Sequence, residues 1–196
     1  PRGAKHACWE RVLHATYVPR ATYLKHPKPT AAFLKTVRAG AVRAPSAAGP
    51  PRVLTVLLRT AGKGSAMRAG PSWTNAREIV AELDVWLARN APSWTLSVSA
   101  LAHAFAFRAQ ADTAGASGIV LGAHGAALTN ALFAPDGASL IEVLGCGHRS
   151  NTYRNLATNR GLAYFSATQS TGACARDLGR KFINFRRPLP LEEVVG

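Results

Sequence analysis

From residue 53 onward, short apolar runs alternate with segments of helical period, and that alternation predicts the elements of the chain. Residues 53–58 (VLTVLL) form the continuous apolar run of a strand buried on both faces. Residues 62–70 read as a flexible basic loop. Asn75 and Glu78 have the spacing of a helix-capping pair. Ile79, Leu83, Trp86 and Leu87 then fall on one helical face until Asn90 and Pro92 end it. Further strands are predicted over 94–98, 118–121, 140–144 and 163–166. Helices are predicted over 101–113 (with Leu101, Phe105 and Ala109 along one side), 126–133 and 151–159. Strands alternating with helices specify parallel β-α-β units, so the expected fold is α/β, a Rossmann-like doubly wound parallel sheet.

Before residue 53 the pattern is different. Residues 1–40 carry apolar positions without a sustained period, and 39–52 is rich in Ala, Gly and Pro (Pro45, Pro50, Pro51). That stretch reads as an exposed connection, which places a domain boundary near residue 50.

Composition adds limits. A chain of 196 residues with 47% hydrophobic content can bury a substantial core. No apolar run approaches the roughly 20 residues that a membrane-spanning helix needs. The chain begins at Pro1 without a signal or transit segment, and is expected to be part of a longer protein. Its formal charge of +14 favours polyanions such as nucleic acid, anionic membrane or phosphorylated ligands, although a bias toward Arg and Ala gives the same number. The basic residues are dispersed and lack the interleaved aromatics on which bases stack, so nucleic acid is not the expected partner. Three cysteines, Cys8, Cys146 and Cys174, form no C-x-x-C pair. Cys146 and His148 make half a zinc site with no second pair, and no metal is expected.

In open parallel sheets, ligands sit beyond the carboxyl ends of the strands. The segments to inspect are therefore Arg59-Thr60, 122–130 and 145–151. Gly122-Ala123-His124-Gly125 follows an apolar strand and opens a helix. Small residues there let backbone N–H groups approach an anion, and a helix N-terminus adds unpaired donors. The segment is neither the Walker phosphate loop nor the dinucleotide G-x-G-x-x-G. A tight connection, with His124 bonded to a neighbouring carbonyl, is the structural alternative.

The run from Gly122 through Asn130 to Ala138, followed by Leu140-Ile141-Glu142-Val143, closely resembles the hallmark segment of glycosyltransferase family 61, approximately G-x-H-G-A-G-L-T-N-x-x-F-x-P. The similarity continues through Asn151, Tyr153, Asn155 and Ala157 to Gly161 and Tyr164, and upstream through Arg59, Asn75, Glu78 and Phe107 to Gln110. Cys8-Trp9 resembles the family's Cys-aromatic segment. Ala127 departs from the usual Gly, and 166–179 has no counterpart.

The resemblance implies the C-terminal lobe of a GT-B glycosyltransferase. Residues 1–50 would be the end of an N-terminal lobe and linker, and 51–196 the nucleotide-sugar-binding lobe. It implies inverting transfer of xylose, arabinose or N-acetylglucosamine from a UDP-sugar to a glycan or glycoprotein acceptor, in the Golgi or endoplasmic reticulum lumen. No cofactor or metal is implied, and membrane attachment would come only through an anchor outside this chain. Arg59 is expected on the donor diphosphate, with a surface salt bridge as its alternative. His124, Gly125 and Thr129 would line the same phosphate region. Glu142 is expected either on ribose hydroxyls or as an exposed strand residue. The catalytic base is not identified, with His124 a candidate. The chain alone would bind nucleotide weakly and transfer little sugar. A polyanion-binding module and a catalytically inactive family member stand as the other expectations.

Overall fold

A computed structural model describes residues 36–37, 49–59, 76–101, 107–145 and 150–168. The elements are β1 (Val53–Arg59), α1 (Ala76–Asn90), β2 (Thr95–Leu101), α2 (Phe107–Gly115), β3 (Ile119–Ala123), a 3-10 helix (Ala126–Phe133), β4 (Ser139–Leu144), α3 (Thr152–Arg160) and β5 (Ala163–Thr168). The five strands are all parallel, in the order β2-β1-β3-β4-β5. The fold is α/β, compatible with a Rossmann-like lobe.

Strand alternation divides the core into two faces. On one, Leu54, Val56, Leu121 and Val143 pack with Ile79, Leu83 and Leu87 of α1. On the other, Leu57, Val120 and Leu140 pack with Leu128 and Ala131 of the 3-10 helix and with Tyr153, Leu156 and Ala157 of α3. The chain leaves β1 for one face and β3 for the other. The carboxyl ends of these adjacent strands therefore flank the switch point at which doubly wound sheets form their crevice.

Three-residue periodicity explains the 3-10 helix. Its side chains at i and i+3 eclipse, giving three stripes. Leu128 and Ala131, with Ala134 just beyond, are fully buried against the sheet. Asn130 and Phe133 face α2: Phe133 packs with Ala111 and Ala114, and the Asn130 amide donates to Gln110 Oε1 at 3.1 Å, while Ala127 packs against the sheet-side cluster. Ala126 and Thr129 are exposed.

Several boundaries differ from the expectation. β2 runs to Leu101, where a helix was expected to begin, because L-S-V-S-A-L keeps period-two pairing with β1 to Arg59↔Leu101. α2 starts only at Phe107 and buries Ala111 and Ala114, leaving Ala109 exposed; Phe105 lies outside the described residues. Trp86 is 39% exposed, at the edge of the α1 stripe rather than within it. Asn75, half of the expected capping pair, also lies outside the described residues. Glu78 and Arg89 occupy the first and last turns of α1, where they complement its dipole.

Val37, on the far side of the expected boundary near residue 50, packs against the cluster of Ala111, Ala114 and Phe133. Among the described residues no helix is long and apolar enough to cross a membrane, and no group of three or more His, Cys, Asp and Glu side chains could hold a metal ion.

Candidate functional site

β3 continues through Gly122 and Ala123, so the turn proper is His124-Gly125. Gly122 has a packing role: a Cβ there would meet Leu128 Cδ2 at 2.8 Å. The glycine lets the 3-10 helix lie close on the strand.

Three parallel strands then place an oblique row of polar side chains on one face. Gly122 pairs with Glu142, and Leu140 with Tyr164. His124 therefore sits one step beyond Glu142 on β3's side, and Tyr164 one step before it on β5. Glu142 is 0% exposed. Its Oε1 is hydrogen-bonded to His124 Nδ1, and its Oε2 accepts the Tyr164 hydroxyl at 2.6 Å. A buried carboxylate requires such partners, because leaving it unpaired would cost several kcal/mol.

Tyr153 closes the other side of the turn. Its ring lies edge-on to the His124 ring, with centroids 5.2 Å apart, and its hydroxyl donates to the Gly125 carbonyl at 2.5 Å. The same carbonyl accepts the Leu128 N–H at 3.0 Å. Gly125 itself is extended, with φ 160° and ψ 172°. The His124 backbone N–H donates to the Val143 carbonyl at 2.8 Å. Backbone and ring of His124 are thus anchored to β4, and the turn to α3.

Tyr164 titrates well above the usual phenol value. Burial is the largest cause, followed by the hydrogen bond to Glu142 and that residue's charge. Ser166 and the Arg154 guanidinium oppose the shift. Arg154 lies 5.6 Å from the centroid of the Tyr164 ring, a cation–π arrangement.

Of the expected site residues, His124, Gly125 and Glu142 come together. The exposed-strand alternative for Glu142 does not hold, since its side chain is fully buried on a central strand. The same burial leaves it no surface to offer a ribose hydroxyl; it reaches the site through His124. The His124 ring contacts the Glu142 carboxylate through Nδ1. Thr129 is on the outward stripe of the 3-10 helix. Arg59 ends β1: Leu57 pairs with Gly122, and two residues further along their strands lie Arg59 and His124. The Arg59 side chain, Thr60, Cys146 and His148 lie outside the described residues. Ala127 sits in the 3-10 helix, whose negative φ accommodates a methyl group without strain.

The helix after the turn is 3-10 and not α, so any anion-binding contribution rests on the N–H groups of its first turn more than on an extended dipole. Tyr153 and Tyr164, which hold the turn and the carboxylate, carry no spacing signal that marks them as functional. A groove of about 440 Å³ lined by Leu58, Arg77, Val80, Asp84 and Val98 borders α1, on the opposite face of the sheet from His124. No protein-family model matches this chain, and no curated protein matches it.

Proposed function

We propose that this chain supplies the donor-binding lobe of an inverting glycosyltransferase that uses a UDP-sugar. The observation that carries the proposal is the position of the His124-Gly125 turn. It leaves the carboxyl end of β3 beside the end of β1, at the switch point of a doubly wound sheet, with His124 held from below by buried Glu142. The resemblance of residues 122–164 to glycosyltransferase family 61 adds the substrate class. That family transfers xylose, arabinose or N-acetylglucosamine to glycan or glycoprotein acceptors in the secretory pathway.

In this account the diphosphate lies over the turn. Arg59 and the first N–H groups of the 3-10 helix stabilise charge that grows on the leaving UDP. The acceptor oxygen forms a bond to the anomeric carbon as the bond to UDP breaks, and the acceptor's proton passes to a base outside the described residues. Glu142 holds the His124 ring in place beside the diphosphate through Nδ1.

Thermal unfolding with and without UDP tests the proposal. At a ligand concentration 100 times its Kd, stabilisation of about 2.7 kcal/mol is expected, which raises Tm by several degrees. Arg59→Ala diminishes that rise. No rise with UDP, together with tight salt-dependent binding of DNA or RNA, would favour a polyanion-binding module instead.

A further inference from the structure

We propose that Tyr164 is a positioning residue for His124, acting through Glu142: by donating its hydroxyl proton to one oxygen of the buried carboxylate it holds the other oxygen against Nδ1 as an acceptor, and so keeps the proton of the His124 ring on Nδ1. The inference extends the donor-site proposal to the control of that site, but its geometry stands independently of any ligand.

The Glu142 side chain enters a fully buried space between two neighbours on flanking strands. The register puts one on either side of it. Tyr164 is fixed by β5 and reaches Oε2, and His124 is fixed by the end of β3 and meets Oε1. A neutral tyrosine hydroxyl has one proton to donate, and here it points at Oε2. Burial and the neighbouring carboxylate together favour that protonated form. The second oxygen is left toward His124 as an acceptor only. An acceptor facing Nδ1 selects the Nδ1–H form of the neutral ring and leaves the basic lone pair on Nε2. The charged groups facing this row among the described residues are Glu142 itself and Arg154, whose guanidinium lies over the outer face of the Tyr164 ring.

Glu142→Gln makes the idea testable, because an amide has one acceptor and one donor end. If Tyr164 dictates orientation, the glutamine oxygen accepts the tyrosine hydroxyl and its NH₂ faces Nδ1. The neutral His124 ring then has to invert to the Nε2–H form. If Tyr164 does not dictate orientation, the amide turns its oxygen to His124 and Nδ1–H persists.

The experiment is long-range ¹H–¹⁵N correlation of histidine rings in the intact chain, with His124 assigned by its loss in His124→Asn. The expected results are Nδ1–H in the unaltered protein, Nε2–H in Glu142→Gln, and a mixture of both forms in Tyr164→Phe. Unchanged ring signals in Tyr164→Phe, or Nδ1–H retained in Glu142→Gln, would overturn the proposal. Either variant alone suffices if the other does not fold. Failure of UDP to stabilise the protein would refute the donor-site proposal and leave these ring signals untouched, so the two failures are distinguishable.

Discussion

The Tyr153 hydroxyl donates to the Gly125 carbonyl at 2.5 Å, tying the first turn of α3 to a loop 28 residues earlier in the chain. This bond fixes the turn at the carboxyl end of β3 against the helix that follows β4. Two connections of the sheet therefore form one rigid rim, and the site is built on that rim rather than on an isolated loop.

Removal of the bond has a predictable cost. Tyr153→Phe keeps the edge-on contact with His124, and Gly125 keeps the Leu128 N–H. Loss of the hydrogen bond to Gly125 is expected to cost about 1 kcal/mol. Urea denaturation is expected to show a lower midpoint with an unchanged slope. An unchanged midpoint would mean that the bond contributes nothing to the rim.

Three glycines should rank by what an added methyl group meets. In Gly118→Ala the methyl would lie 1.9 Å from the Pro51 carbonyl oxygen, a backbone atom with no rotamer to yield. Its cost should exceed the roughly 1–3 kcal/mol of ordinary overpacking. Gly122→Ala presses on Leu128 Cδ2 at 2.8 Å, and Leu128 is fully buried, so a cost within that range is expected. Gly161→Ala meets open space but keeps a left-handed φ of 69°, which costs about 1 kcal/mol. Chemical denaturation of the three variants checks the order. Leu128→Ala should relieve Gly122→Ala in a double-mutant cycle, and additivity there would contradict the packing role given to Gly122.

Tyr164 predicts an alkaline dependence. Its pKa is raised in the folded protein above the ordinary value of 10.0, first by burial and then by Glu142. Above pH 10 the unfolded chain loses this proton while the folded protein retains it, so stability falls as pH rises. The contribution is fully present below pH 10. Stability of the unaltered protein should therefore drop more steeply between pH 10 and 11 than that of Tyr164→Phe, followed by urea midpoints at each pH. Parallel slopes would contradict the assigned environment.

All five strands were legible in the apolar runs; for the inner strands β1, β3 and β4 burial on both faces leaves a direct mark on composition, whereas the edge strands β2 and β5 are largely exposed. The 126–133 helix was also legible, but not its 3-10 form, which depends on how three stripes meet the sheet, α2 and solvent. β2 was expected to end at residue 98, but pairing with β1 carries it through Ser99 and Ala100, residues of weak strand preference, to Leu101. Of the site, His124 and Gly125 stood out by their turn. The roles of Glu142, Tyr153 and Tyr164 did not, because they arise from register between strands and from helix placement, neither of which a local pattern encodes. Gly122 illustrates the converse, a conspicuous residue whose visible role is to admit Leu128.

The most direct test of the account is hydrogen exchange of backbone amides with and without UDP. The expected result is slowed exchange confined to 122–130 and the end of β1 at Arg59, with the amides of α1 and the outer part of β2 unchanged. Protection centred on the groove between α1 and β2, or no protection anywhere, would contradict the placement of a nucleotide at the His124-Gly125 turn.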